Sequence, residues 1–216
     1  MKLQLLNLPF LILMITIFAS CVTTNYYTAR TLDQGETVIT PGVDNLIWIT
    51  RNGEVVEKHL AFSVSLGVAT GLPWRFETGI RGYFPYIYEA NLRHQINPKS
   101  FEAFDISANF HCGIGITEKF REISQPYIKY GITISKEIST IQPYLSYYLS
   151  KDYIFILEDN PGEAADYSIL CFGVAIPFKT DLIFPECNYY MVSEGKEGFF
   201  SIGLGVRVSL DSPAIK

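Results

Sequence analysis

Between residue 57 and Leu210, apolar side chains return at every second position, segment after segment. From His59 to Thr70, Leu60, Phe62, Val64, Leu66 and Val68 fall in one phase, and Ala61, Ser63, Ser65, Gly67 and Ala69 in the other. The last segment sets Phe200, Ile202, Leu204, Val206, Val208 and Leu210 against Ser201, Gly203, Gly205, Arg207 and Ser209. Side chains alternate sides only in extended chain, so each segment predicts a β-strand with one apolar face and one small or polar face. No i, i+3, i+4 pattern competes with the alternation.

Ten strands follow, at about 36–51, 57–70, 74–84, 86–96, 100–116, 126–135, 138–151, 165–178, 180–192 and 199–210. The first is interrupted by Pro41 and Asn45 and the ninth by Pro185, which predicts bulges or a closure seam there. Asn52-Gly53, Gly71-Leu72-Pro73, Pro85 and Asn97-Pro98-Lys99 supply turns. Connections of one parity (70–74, 96–100, 135–138, 178–181) read as uniformly short, and those of the other parity as mostly longer. Barrels of the outer membrane have this asymmetry, with short periplasmic turns and longer outer loops, and an even strand count returns both ends of the barrel to one side. The expected fold is all-β: an antiparallel up-and-down transmembrane β-barrel of about ten strands, with eight possible, over residues 36–211, followed by a tail at 212–216.

Alternation alone does not say which face meets lipid or water. A soluble barrel would bury its apolar face. Here the polar phase is mostly Gly, Ser, Ala, Thr and Asn, which suits a cramped interior. Its charges are close to balance: Arg75, Glu77, Arg81, Glu89, Arg93, Asp105 and Arg207, with His111 and Glu186 in the same phase. These nine residues are the expected polar network lining the lumen. Strands of roughly 9–13 residues match a tilted membrane crossing. A soluble periplasmic β-barrel binding protein is the alternative.

The N-terminus adds a compartment. Lys2 precedes a short apolar core from Phe10 to Phe18, too short for a spanning helix and in keeping with a secretory signal peptide over residues 1–20. Phe18-Ala19-Ser20-Cys21 resembles a bacterial lipobox, with Phe18 where Leu is usual; the resemblance implies a lipid-anchored Cys21. Residues 21–35 are polar and aperiodic, and read as the lipidated N-terminus and a periplasmic tether. Cys112, Cys171 and Cys187 remain, an odd number without C-x-x-C spacing, and read as small apolar fillers. The formal net charge of -5 has no basic run, so nucleic acid is not an expected partner. The 14 Tyr and 15 Phe suit strands and interfacial girdles alike.

Chemistry is sparse. His59, His94 and His111 are the only histidines, and His111 stands six strand residues from Asp105, roughly 20 Å, beyond a hydrogen bond. Gly113-x-Gly115 and Gly203-x-Gly205 precede no helix, so they are inward glycines at the strand period rather than a nucleotide site. The stretch 152–164 mixes aromatic and acidic residues and reads as an outer loop. No catalytic residue, metal or cofactor is expected. Ten strands enclose an interior that side chains largely fill, so a structural or surface-interaction role leads and narrow transport of small polar solutes follows.

The signal peptide with Cys21, the GETVITPG opening, SLGVATGLPWRFETGIRGYF, FPECNYY and SIGLGVRVSL together resemble the small lipid-anchored outer-membrane β-barrel proteins of bacteria. The resemblance covers most of the mature chain and implies outer-membrane lipid, the barrel-assembly machinery and the lipoprotein-sorting machinery as partners, with both termini periplasmic. Members typically end on an aromatic residue, where this chain has Leu210 and then Asp211 to Lys216.

Overall fold

The computed structural model describes residues 25–210, with breaks at 52–53, 58–60, 85–86, 99, 102, 117–122, 158–159 and 193–196. The leader 1–20, Cys21, His59 and the tail 212–216 lie outside the described residues. The strands are β1 (Thr37–Arg51), β2 (Glu54–Glu57), β3 (Ala61–Leu72), β4 (Phe76–Phe84), β5 (Ile87–Gln95) and β6 (Asp105–Ile116). They continue as β7 (Ile123–Ser135), β8 (Gln142–Leu157), β9 (Asn160–Phe178), β10 (Asp181–Val192) and β11 (Glu197–Ser209). β2 and β3 both pair antiparallel with β1, one above the other, and so form a single stave. Every later strand pairs with its predecessor, and β11 closes on β1 from Val38↔Ser209 to Arg51↔Glu197. The result is a closed antiparallel barrel of ten staves, which leaves no free sheet edge.

Thr37, Ser209 and the connections β3–β4, β5–β6, β7–β8 and β9–β10 share one end, here called the near end. Leu210 N–H donates to Thr37 C=O at 2.9 Å, so the barrel's first and last residues meet there. The alternation sorts side chains as the sequence implies. Ile80 is 66% exposed and Phe172 55%, while Ser65, Glu77, His111 and Ser201 on the opposite faces are fully buried. Pro41 and Pro185, the expected irregularities, stand within unbroken strands with exposed side chains. The seam carries one register shift, between Leu46 and Trp48.

Three expectations are corrected. The fifth strand begins at Asp105 rather than 100, because the Asn97 side chain donates to Phe104 C=O (2.8 Å) and accepts from Ile106 N–H (2.6 Å), closing 96–104 as a loop. Residues 152–164 are not an outer loop: β8 runs to Leu157 and β9 starts at Asn160, since Tyr153 to Ile156 are strong strand formers. The connection asymmetry goes with these two changes, because the near end now holds a nine-residue link and the far end has two-residue links at 85–86 and 158–159.

Candidate functional site

The interior is occupied by the chain itself. Residues 25–32, expected within a periplasmic tether, lie inside the barrel, with Asn25, Tyr26, Tyr27, Thr28, Ala29, Thr31 and Leu32 all buried. The entry is a tight turn at the near end: Gly35, at φ 84, donates its N–H to Gly71 C=O at 2.9 Å, and Gly71 donates back to Glu36 C=O at 2.9 Å. Such a positive φ costs glycine little. From the turn the strap climbs. Leu32 sits with Val38 and Ala69 near the rim, Arg30 bridges to Asp105 (3.3 Å) and Glu137 (3.1 Å), and Asn25 reaches Glu186. Glu186 is five residues above Asp181, about 12 Å along the axis of a tilted strand. The described chain therefore begins in mid-lumen, not at the near end where the N-terminus was expected.

Charged side chains of the wall take hold of the strap's main chain. The Glu186 carboxylate accepts from Asn25 N–H and Tyr26 N–H, each at 2.8 Å, and from the Tyr144 hydroxyl at 2.7 Å. Glu77 accepts from Leu32 N–H at 3.0 Å, Ser135 from Ala29 N–H at 3.0 Å and Gln95 from Thr31 N–H at 3.4 Å. In return, Arg81 donates to Asn25 C=O and Arg207 to Tyr26 C=O, each at 3.2 Å, and Arg93 donates to Thr28 C=O. Carboxylates thus meet amide hydrogens and guanidiniums meet carbonyls, the charge-assisted form of the hydrogen bond.

Aromatic contacts fix the strap sideways. The Tyr27 ring lies 4.5 Å from the Arg93 guanidinium, 5.0 Å from that of Arg81 and 5.7 Å from that of Arg207. Stacking of this kind favours arginine over lysine. The Tyr26 ring is wedged between Gly42 and Gly205, and its hydroxyl donates to Asp44.

A second cluster stands above. Glu89 accepts from Tyr127 O–H at 2.8 Å, sits 3.0 Å from Lys129 Nζ and pairs with His111 Nδ1 at 2.8 Å. Lys129 also donates to the Asn25 side chain at 3.2 Å, joining this cluster to the strap. Below, Arg93 bridges Glu77 at 2.7 Å and donates Nε–H to Asn109 at 3.1 Å. Gln95 donates to Asp105 at 2.9 Å.

Eight of the nine expected lumen residues therefore point inward and are buried: Glu77, Arg81, Glu89, Arg93, Asp105, His111, Glu186 and Arg207. Arg75 does not. Pro73 and the left-handed Trp74 and Arg75 (φ 57 and 64) make a 3-10 turn, so the alternation starts only at Phe76, and Arg75 reaches out to Ile96 C=O at 3.3 Å. Sequence reading passed over Lys129, although it is in phase with Tyr127 and Thr133 against Ile128 and Tyr130. It also placed no tyrosines inside, whereas Tyr83, Tyr127, Tyr144, Tyr148, Tyr167 and Tyr190 are all buried there. Cys171 is buried on the inner face, Cys112 is exposed on the outer, and His94 stacks on Phe76 at 4.3 Å. Among the described residues no group of three His, Cys, Asp or Glu converges as a metal site would require.

No family model matches this chain, and no curated protein does. Solved structures do match. The transport unit of the autotransporter AIDA-I from Escherichia coli is 12% identical, with 92% of this chain and 97% of that one covered and a TM-score of 0.47. An outer membrane channel from Pseudomonas putida F1 is 10% identical, over 88% of this chain and 100% of that one, with a TM-score of 0.45. Neisserial surface protein A is 10% identical, over 80% and 96%, with a TM-score of 0.36.

Proposed function

We propose that this chain is a bacterial outer-membrane β-barrel closed from within by its own N-terminal strap, with a structural or surface-interaction role rather than that of an open pore. The observation that carries the reading is the reversal of inside and outside. Ile80, Ile132, Phe172 and Leu204 stand exposed around the wall, while arginines, carboxylates and a lysine fill the interior. In water, that arrangement would leave a large apolar girdle exposed; in lipid it is the stable one. Cys21, in its lipobox-like context, would be diacylated and add an anchor to the barrel, with the sorting and assembly machinery as its route. The near end, where Thr37 and Leu210 meet, would face the periplasm.

A narrow polar conduit is the second reading, favoured by the far half of the lumen. There, among the described residues, Ser63, Ser150, Ser201 and both amide atoms of Asn188 are buried without a hydrogen-bond partner.

Heat-modifiable migration of the purified protein on a detergent gel, with palmitate labelling in the same cells, tests the main reading. A membrane-fraction protein that shifts on boiling and takes up label is expected. A soluble protein that migrates identically boiled and unboiled would contradict it.

A further inference from the structure

We propose that the lumen is a binding site for an extended polypeptide main chain, with residues 25–32 as its resident and exchangeable occupant. The inference rests on the strapped-barrel reading above and goes one step past it. The recognition is of backbone more than of side chains. Amide hydrogens of Asn25, Tyr26, Ala29, Thr31 and Leu32 are met by Glu186, Ser135, Gln95 and Glu77, and carbonyls of Asn25, Tyr26 and Thr28 by Arg81, Arg207 and Arg93. These partners come from β4, β5, β7, β10 and β11, so the site belongs to the barrel and not to one strand. Of this strap's buried residues, Asn25, Thr28 and Thr31 are polar, and their main chain is held by groups that any extended peptide could satisfy.

A second observation points the same way. Above Asn25, the wall continues with buried polar side chains that lack partners among the described residues: Asn188, two residues along β10 from Glu186, and Ser201, which faces it on β11. Buried hydrogen-bonding groups left unmade are costly. A main chain continuing along the axis carries the donors and acceptors that would satisfy them. Asn188 and Ser201 thus offer further partners to a main chain that runs past Asn25.

Affinity for the chain in cis comes partly from its tether, which sets a high effective concentration. Cutting that tether converts the plug into a ligand. A protease site is inserted between Gln34 and Gly35, both exposed at the near-end turn, and the full mature chain is folded in detergent with Cys21→Ser and then cleaved. The probe is a fluorescent synthetic peptide of residues 22–34. One equivalent should enter the cleaved barrel and none the uncleaved one. N-methylation of the peptide at Tyr26, which removes the hydrogen that Glu186 accepts and leaves the sequence intact, should weaken uptake about tenfold or more. Exchanging Thr23, Thr24, Thr28 and Thr31 for Ala should change it by only a fewfold. No uptake at a hundredfold excess, or uptake indifferent to N-methylation, would overturn the proposal. Retention of the heat-modifiable shift by the cleaved protein would show that the barrel reading survives even then.

Discussion

Glu77 and Arg93 stand directly opposite one another on β4 and β5, joined at 2.7 Å with neither side chain more than 1% exposed, and each also holds the strap. Arg93 donates to Thr28 C=O and Glu77 accepts from Leu32 N–H, so one ion pair couples wall to plug. Removing one partner of a buried pair strands the other. Arg93→Ala should therefore cost about 3–5 kcal/mol in urea unfolding of the barrel, and the double Glu77→Leu, Arg93→Leu should cost less than Arg93→Ala alone. A double variant that is the weaker of the two would mean that the pair itself, not the orphaned charge, carries the stability.

Glu89 gathers His111 from β6 and Tyr127 and Lys129 from β7, and Tyr127 supplies a hydroxyl donor. Tyr127→Phe should cost about 1.5–3 kcal/mol, as expected for a hydrogen bond to a charged group. In a Glu89→Gln background the same change should cost distinctly less, so a double-mutant cycle in urea should show coupling. Additive effects would show that Tyr127 stabilises by packing against Gly113 instead.

Gly205 gives the Tyr26 ring its room. A Cβ there would stand 2.6 Å from Tyr26 Cγ, and Gly42 faces the same ring. Gly205→Ala should push the strap out while the barrel still folds. Hydrogen exchange at the Ala29 and Leu32 amides should speed up tenfold or more, with the boiling-dependent gel shift kept. Unchanged exchange would show that the ring is not what pins the strap.

Much of this architecture was legible along the chain. The period of two at Ser63, Ser65 and Leu66 marked a strand with two unlike faces, and the small residues and near-balanced charges of one face marked it as the inside. The eight buried charged and histidine positions followed from the same phase, and Arg75 was misplaced because a left-handed turn at Trp74 delays the strand by two residues. Lys129 was equally legible and was passed over. The strap was not legible. Asn25 to Leu32 carry no periodicity, and their burial is a long-range consequence of groups such as Glu186, 160 residues away from Tyr26. The extension of β8 and β9 was hidden by the Asp and Glu residues of 152–164, a composition that suits a loop as well as a strand.

Ile132, half exposed on the wall, reports which solvent the wall faces. Ile132→Arg should cost about 2–4 kcal/mol when the barrel is unfolded from lipid vesicles, and Ile138→Arg, in the near-end β7–β8 connection, about 0–1 kcal/mol. Equal and negligible costs would place the wall in water.

The claim that the strap closes the lumen is tested most directly by ion conductance in planar bilayers. The intact protein should insert and remain silent, and the protein cleaved between Gln34 and Gly35 and washed with mild urea should give reproducible unitary steps. Unitary steps from the intact chain, or a cleaved and strap-free barrel that stays silent, would contradict it.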